Sequence, residues 1–166
     1  LPADGQVSGF DCGPGNALMD AWCQRHTGRP YDDNGAWAAS GSVLPALLQR
    51  LLDEPFLQQP PPKSTGRDLF NAQWLQQRLE WLPAHTRAED VQATLTEFTA
   101  RACADSALRW GRDAEQLLVC GGGALNGHLM ARMAALLPGM QVQSTEAGGL
   151  PPLQVEAAAF AWLARQ

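Results

Sequence analysis

The sequence contains no isoleucine, and only one of its 12 basic residues, Lys63, is a lysine. Leucine and alanine are abundant instead, a bias that indicates a GC-rich genome rather than a function. Charged residues make up 17% of the chain, against roughly 25% in an average soluble domain. Together with the 45% of apolar residues, this composition argues against a highly charged disordered chain and favours a folded domain.

Positive charge is scarce as well, since 12 basic residues stand against 17 acidic ones and give a formal net charge of −5. Such a chain does not attract the phosphate backbone of a nucleic acid, so no nucleic-acid partner is expected. No apolar run reaches about 18 residues, the length that a membrane-spanning helix needs, so no membrane partner is expected either.

Metal-binding patterns are also missing. The four cysteines form no CxxC pair, and the three histidines are scattered along the chain. These spacings do not suit a zinc site, and no residue is assigned as a metal ligand. Free thiols in a chain of this size suit a reducing compartment, and we expect a cytoplasmic protein.

The chain begins at Leu1 without a methionine, and its residues 2–5 (Pro-Ala-Asp-Gly) are typical of a turn between two strands. This start predicts that the sequence begins inside a structure. A chain of 166 residues can still bury roughly two-thirds of its unfolded surface, enough for a core without disulfides or metals.

Helices are predicted over most of the chain from the spacing of apolar residues. The predicted helices cover residues 14–27, 42–52, 68–82 and 86–111, the last opened by a capping box between Thr86 and Glu89. We interpret residues 29–41 as a loop, and Pro55 with residues 60–62 as a stiff extended connection. In the last third, strands at 116–120 and 140–143 alternate with helices, which predicts a parallel sheet with crossover connections.

The first candidate site lies where a predicted strand over residues 7–11 ends, in the segment Asp11-Cys12-Gly13-Pro14-Gly15-Asn16. A glycine turn at a helix N-terminus lets phosphate oxygens approach the backbone, and the helix dipole favours anions there. An acid in this place can hold Mg²⁺ through water or deprotonate a nucleophile, and it can equally cap the helix. A catalytic thiol at Cys12 is not expected, because no histidine lies nearby in the sequence.

Three further segments carry candidate residues. Gly121, Gly122 and Gly123, followed by Asn126, leave room for a nucleotide against the backbone or form a tight strand–helix turn. The segment 63–68, with Lys63 and Arg67, lacks the glycines of a phosphate-binding loop and is either a ligand contact or a solvated loop. Glu156, in the least polar helix, either binds a substrate hydroxyl or faces solvent.

These segments occur in a distinctive order. They comprise residues 10–16, 33–41, 62–71, 119–126, 149–152 and 155–164. In order and spacing, over nearly the whole chain, they resemble the anhydro-N-acetylmuramic acid kinases. That family belongs to the actin, sugar-kinase and heat-shock ATPase superfamily, in which two ribonuclease-H-like domains enclose ATP and substrate. The resemblance implies an α/β, ribonuclease-H-like half-fold that is helix-rich and has a small, mostly parallel sheet.

The resemblance also implies a reaction, the ATP-dependent conversion of 1,6-anhydro-N-acetylmuramic acid to N-acetylmuramic acid 6-phosphate in peptidoglycan recycling, with Mg²⁺. Asp11 matches the family's general base, which activates the water that attacks the anomeric carbon. The other implied roles are phosphate binding by Gly13, Gly15 and Asn16, adenosine binding by Gly121, Gly122, Gly123 and Asn126, and substrate binding by Lys63, Arg67 and Glu156.

The sequence also departs from the family. Cys12 stands where the family often has threonine, and the family's N-terminal half, with its glycine-rich first phosphate loop, does not precede Leu1. We therefore expect residues 1–166 to be the C-terminal domain of a two-domain kinase, with residues 29–86 as a helical and loop insertion. The expected partners are ATP, an amino sugar and the N-terminal domain of the same protein. A second copy of the protein, in a homodimer, is a further candidate partner.

We expect this piece alone to be inactive, since phosphoryl transfer needs both walls of the cleft. Two alternatives are kept. One is a non-catalytic nucleotide-binding or interaction module, and the other is a different sugar kinase of the same superfamily.

Overall fold

A computed structural model describes residues 8–111 and 114–165, and helices predominate over this part of the chain. The predicted opening turn at residues 2–5 lies outside the described residues. The helices are α1 (Ala17–Thr27), α2 (Ala36–Ser40), α3 (Pro45–Leu52), α4 (Pro55–Gln58), α5 (Ala72–Leu79), α6 (Ala88–Trp110), α7 (Gly127–Leu136) and α8 (Val155–Leu163). The strands are β1 (Gln116–Val119) and β2 (Gln141–Ser144). The helix-rich α/β prediction is confirmed.

The long helix α6 is the centre of the core, because helices α1, α2, α3 and α7 all pack against it. Every residue from 91 to 100 is buried, so this part of the helix has no solvent-facing side. Its Phe98 lies among the rings of Phe70 and Trp74, with centroids 6.2 and 6.1 Å away. This aromatic cluster ties α5 and the loop before it to the centre of the fold.

The sheet consists of β1 and β2, which pair in parallel from Gln116 opposite Gln141 to Val119 opposite Ser144. Helix α7 connects them, as the alternation of strand and helix predicts. Both strands were predicted within one residue of their bounds. The sheet therefore presents the C-terminal end of β1, and the glycines that follow it, beside the N-terminus of α7.

Five local predictions are wrong, three of them at the start of the chain and in its first loop and two further along. The described residues 8–11 form no strand, and the backbone N–H of Asp11 donates to Lys63 O at 3.2 Å. Pro14 precedes α1 rather than opening it, since the helix begins at Ala17. The predicted loop 29–41 contains α2, because the buried carboxylate of Asp32 accepts hydrogen bonds from the N–H groups of Trp37 and Ala38.

The predicted break at Pro55 is instead the first residue of α4, where proline needs no N–H partner and Glu54 caps the helix. The predicted capping box is also wrong. The hydroxyl of Thr86 donates to Pro83 O at 2.7 Å, and α6 begins at Ala88, so Glu89 is not three residues from a cap. Arg87 instead holds Asp90 in the first turn of α6.

Candidate functional site

Asp11 is an exposed residue whose carboxylate has two donors on one oxygen. The hydroxyl of Ser64 donates to Asp11 Oδ2 at 2.7 Å, and the backbone N–H of Thr65 donates to the same oxygen at 2.8 Å. These two hydrogen bonds, first from Thr65 and then from Ser64, lower the pKa of Asp11 below its ordinary 3.8. The carboxylate is thus ionised near neutral pH and oriented with Oδ1 away from these donors. Asp11 does not cap α1, since that position is occupied by Asn16.

The loop that supplies these donors is anchored by Lys63. The residue is 8% exposed, and its ammonium donates to Phe56 O and Leu57 O, each at 3.1 Å. The charge also lies 4.8 Å from the ring centroid of Phe56. Burial lowers the pKa of Lys63. The chain's one lysine therefore points into the fold and fixes Ser64 beside Asp11, rather than lying in a solvated loop.

The glycine turn after Asp11 packs on α6 at one glycine and opens to solvent at the other. A Cβ on Gly13 would stand 2.9 Å from Cβ of Ala102, so glycine is needed there for close packing. Gly15 has φ +56° and no atom within 4 Å of the position of a Cβ. Its carbonyl accepts a hydrogen bond from Thr99 Oγ1 at 3.0 Å. Gly15 is the glycine of this turn whose backbone a ligand can approach.

A cleft of about 790 Å³ joins the glycine turn to the Thr65–Arg67 loop. Its lining includes three of the predicted residues near Asp11, namely Gly13, Gly15 and Asn16, together with Arg67. Asp20, from α1, also lines it; burial raises the pKa of Asp20, and the charge of Arg67 acts in the opposite direction. The cleft thus has an exposed guanidinium on one wall and open backbone on the other.

The second glycine segment lies against the first through Asn16. A Cβ on Gly122 would be 3.3 Å from Asn16 Nδ2, and one on Gly123 would be 3.2 Å from Asn16 Oδ1. Gly121 has φ +73° and open space around it. The structure therefore brings the two predicted glycine segments together, and Asn16 is the side chain between them.

Asn126 has a structural role that the sequence did not indicate. Its Oδ1 accepts the N–H of Leu129 at 3.0 Å and so caps α7. The same amide lies against buried Gly35, where any Cβ would collide with it. The neighbouring Gly127 N–H donates to Asn34 Oδ1 at 3.0 Å. The segment before α2 thus braces the start of α7.

Glu156 lies in the first turn of α8 and is exposed. It is not part of the cleft lining. The turn before α8 adjoins the glycine segment, since the N–H of Gly121 donates to Pro152 O at 2.9 Å. Phe160, Trp162 and Leu163 on α8 are each more than half exposed. The structure therefore places Glu156 in the first turn of a helix whose preceding turn bonds to the second glycine segment, and outside the lining of the cleft.

Sequence reasoning named the 63–68 loop but missed which of its residues touch Asp11. Ser64 and Thr65 are the two donors, while Lys63 is buried and Arg67 lines the cleft. Asp20, four residues after the helix cap Asn16, was missed as well. Its position one turn into α1 was the available signal, since a residue there lies on the same helix face as the cap.

This arrangement can bind an anion and remove a proton. Open backbone at Gly15 and Gly121 fits phosphate and nucleotide groups, because neither glycine has an atom in the place that a side chain would fill. Three clustered histidine, cysteine or carboxylate ligands do not occur in the described ranges 8–111 and 114–165. Mg²⁺ usually binds through one or two carboxylates together with phosphates and water, a donor set to which Asp11 or Asp20 can contribute. No helix in the described ranges is long and apolar enough to cross a membrane.

Comparison with known proteins gives matches along the whole chain. The family model described as "AnmK: Anhydro-N-acetylmuramic acid kinase" matches residues 1–166. The anhydro-N-acetylmuramic acid kinase of Variovorax paradoxus is 63% identical over 165 residues, which cover 99% of this chain and 44% of that protein. The protein of the same name from Pseudomonas putida is 58% identical over 164 residues, covering 99% and 45%. The one from Nitrosomonas europaea is 51% identical over 166 residues, covering 100% and 45%. The chain thus spans less than half the length of these curated relatives.

Proposed function

The chain belongs to the anhydro-N-acetylmuramic acid kinase family, and from this premise we propose that it is the C-terminal domain of a two-domain kinase. The proposed reaction opens the ring of 1,6-anhydro-N-acetylmuramic acid with water and phosphorylates the freed oxygen, giving N-acetylmuramic acid 6-phosphate and ADP. An N-terminal domain supplies the other wall of the site, and residues 29–86 form a helical insertion in this domain. The length of the curated relatives, about twice that of this chain, supports the two-domain arrangement.

The observation that carries the proposal is the orientation of the Asp11 carboxylate beside the open glycine turn. Both donors are on Oδ2, so the other oxygen, Oδ1, is left to accept a hydrogen bond from the attacking water. As that water attacks the anomeric carbon, its proton passes to Asp11 and the bond from that carbon to the 6-oxygen breaks. The 6-oxygen then bonds to the γ-phosphorus as the bond to ADP breaks, so atoms and charge balance.

The two glycine segments are the proposed nucleotide site. Gly13, Gly15 and Asn16 face the phosphates, with Gly13 acting mainly through its packing on α6. Gly121, Gly122, Gly123 and Asn126 face the adenosine. The contact of Asn16 with Gly122 and Gly123 supports one continuous surface for a single nucleotide. Mg²⁺, when bound with the nucleotide, neutralises phosphate charge during transfer.

Arg67 and Glu156 are the proposed substrate contacts of this domain. Arg67 is exposed on the wall of the cleft, and a guanidinium there pairs well with a carboxylate or phosphate group. Lys63 contributes to substrate binding by holding its loop in place, because its ammonium already donates hydrogen bonds to two carbonyl oxygens. We propose that the kinase works in the cytoplasm, a reducing compartment in which its free thiols persist. We also propose that it can form a homodimer.

The test is Asp11→Asn in the full-length kinase, with anhydro-N-acetylmuramic acid and ATP as substrates. We expect a loss of kcat of at least about a hundredfold, with unchanged ATP affinity by calorimetry. Asp53→Asn, another exposed aspartate, is the control and keeps full activity. Normal turnover in Asp11→Asn would show that this domain does not supply the base, and would favour the alternative in which it is a non-catalytic nucleotide-binding module. A parallel panel of glucose, glycerol and acetate separates this kinase from other sugar kinases of the superfamily.

A further inference from the structure

Two of the chain's free thiols, those of Cys12 and Cys103, lie close together beside the candidate base Asp11. Cys12 Sγ lies 3.8 Å from Cys103 Sγ, although the residues are 91 positions apart in the sequence. Cys12 follows Asp11 in the glycine turn, and Cys103 is on the central helix α6. A disulfide has sulfur atoms about 2.05 Å apart, so a closure of roughly 1.8 Å would bond the pair.

The two thiols have opposite chemical character. The hydrogen bond from Cys103 lowers the pKa of Cys12 to about 7 against burial, and the positive charge of Lys63 acts in the same direction. The pKa of Cys103 is raised by its hydrogen bond to Cys12 and by burial. Cys12 lines a cavity beside exposed residues, whereas Cys103 is not among its lining residues, so Cys12 is the thiol that an oxidant meets first and Cys103 is the resolving thiol.

A small oxidant can reach Cys12. A cavity of about 60 Å³ is lined by Cys12 together with Asp105, Arg109 and Trp110, all three exposed. One water molecule needs roughly 10–15 Å³ of such space, so the cavity admits a molecule as small as hydrogen peroxide. Cys23, in contrast, is buried and bonded to Thr27 on the same helix.

We propose that Cys12 and Cys103 are a redox modification site, in which a peroxide converts the two thiols into an intramolecular disulfide. The Cys12 thiolate attacks one peroxide oxygen, the O–O bond breaks, and a sulfenic acid forms as hydroxide leaves and takes up a proton. Cys103 then attacks that sulfur, and the second oxygen leaves as water. In sum, two thiols lose two electrons and two protons, and one peroxide is reduced to two waters.

The disulfide would change the active site through the glycine turn. It draws Cys12 toward α6, where the neighbouring Gly13 already packs so closely that a Cβ on it would stand 2.9 Å from Ala102 Cβ. The neighbouring Asp11 must then leave its position beside Ser64. This consequence rests on the proposed function, whereas formation of the disulfide does not. We expect the oxidised full-length kinase to lose at least about tenfold in kcat, since small misplacements of a reacting group cost this much or more.

The experiment treats the 166-residue chain with equimolar hydrogen peroxide, alkylates the remaining thiols and maps the peptides by mass spectrometry. We expect one linked peptide pair, carrying Cys12 and Cys103, with Cys23 and Cys120 alkylated. Cys103→Ala should stop at a sulfenic acid on Cys12, trapped by dimedone, and Cys120→Ser should leave the linkage intact. Dithiothreitol should restore both thiols.

Two results would overturn the proposal. One is alkylation of Cys12 and Cys103 at the peroxide dose that oxidises exposed Cys120. The other is persistence of a Cys12 linkage, to another cysteine, in Cys103→Ala. The effect on catalysis is tested separately. If the full-length kinase carries the linkage and its turnover is undiminished, the disulfide forms but does not inhibit the kinase. Where the linkage does lower turnover, Cys103→Ala should protect the activity of the full-length kinase from peroxide.

Discussion

The hydroxyl of Ser64 lies 2.7 Å from Asp11 Oδ2, across 53 positions of sequence. This contact joins the Thr65–Arg67 loop to the glycine turn, two segments that meet at the same cleft. A donor at this place lowers the pKa of the carboxyl and sets the direction of the carboxylate. Ser64 is therefore a positioning residue for the proposed base, and its removal has consequences that a purely structural contact would not have.

Ser64→Ala in the full-length kinase tests this role. Removing one of the two donors raises the pKa of Asp11 toward 3.8, so the acidic limb of the kcat/KM profile should move to higher pH. The rotation of the carboxylate should also lower kcat by about 10- to 100-fold at neutral pH. The measurement is the pH–rate profile with saturating ATP.

Ser64→Thr is the matched control, because it keeps the hydroxyl and should restore most of kcat and the profile. The effect should fall on kcat and leave KM for ATP close to that of the parent enzyme. An unshifted acidic limb in Ser64→Ala, or equal losses in the alanine and threonine variants, would show that the hydroxyl does not act through Asp11.

Lys63 and Arg67 lie on one loop but have different proposed roles, Lys63 as the anchor of the loop and Arg67 as a ligand contact. Lys63→Met removes two hydrogen bonds of a buried ammonium and should lower the free energy of unfolding by about 1–3 kcal/mol. Arg67→Met removes an exposed guanidinium and should change stability by no more than about 0.5 kcal/mol, while raising KM for the sugar. Urea unfolding and steady-state kinetics check the pair. A stable Lys63→Met with weakened sugar binding would instead make Lys63 a direct ligand.

Long periodic segments were the most predictable part of the fold. The helix ending at Trp110 and both strands could be predicted because apolar spacing alone defines them. The start of α6 could not, because the Thr86 hydroxyl bonds to the local carbonyl of Pro83 instead of the helix. Helix α2 could not be predicted either, because its support is the buried carboxylate of Asp32 within a glycine- and asparagine-rich segment.

The candidate site, like the fold, contains some residues that the sequence identifies and others that it does not. The two glycine segments and Asp11 could be named as candidates from local sequence, because each lies where one predicted element leads into a helix N-terminus. The partners of Asp11 could not, since Ser64 and Thr65 come from a segment more than 50 residues away. Residue type was also misleading for Lys63, whose charge suggested a ligand while its side chain lies in the interior.

Gly13 and Ala102 should be energetically coupled. Gly13→Ala places a methyl group 2.9 Å from Ala102 Cβ and should lower the free energy of unfolding by about 1–3 kcal/mol. Ala102→Gly alone should cost about 1 kcal/mol from lost helix propensity. In the double variant the clash is relieved, so the total loss should be smaller than the sum by about 1 kcal/mol.

Gly15→Ala is the control for this cycle, since Gly15 has φ +56° and nothing near its Cβ position. It should cost about 1–2 kcal/mol from backbone strain and show no coupling to Ala102→Gly. Urea unfolding of the six proteins measures both cycles. Strict additivity for Gly13 would mean that the turn moves away from α6 at no cost.

Asn126 combines a helix cap with a proposed adenosine contact, and two substitutions separate these roles. Asn126→Ala loses the bond to Leu129 N and should destabilise the chain by about 1 kcal/mol. Asn126→Ser keeps a capping oxygen and should remain within a few tenths of a kcal/mol of the parent. Both should lower ATP affinity by roughly tenfold in calorimetry, equivalent to about 1.4 kcal/mol. Parental ATP affinity in Asn126→Ser would restrict Asn126 to the capping role.

Glu97 joins α6 to α7 and should make stability depend on pH. Its side chain is 3% exposed and accepts hydrogen bonds from Arg101 at 2.8 Å and Arg132 at 2.7 Å. Burial opposes its ionisation, but the bonds from Arg132 and Arg101 outweigh burial and hold the pKa below the ordinary 4.5. A carboxyl group whose pKa is lower in the folded chain than in the unfolded chain stabilises the fold at pH values above the unfolded pKa. This contribution disappears as the pH falls through the folded value.

Glu97→Gln should therefore lower the free energy of unfolding at pH 7 by about 1–2 kcal/mol, a modest value because both arginines are more than a third exposed. The difference from the parent should shrink as the pH falls below 4.5, because the protonated carboxyl is as uncharged as the amide. Exposed Glu80→Gln should show no such trend. Since α7 begins beside the second glycine segment, the same variant should weaken ATP binding in the full-length kinase at pH 7. A pH-independent loss would show that packing, rather than charge, holds the two helices together at Glu97.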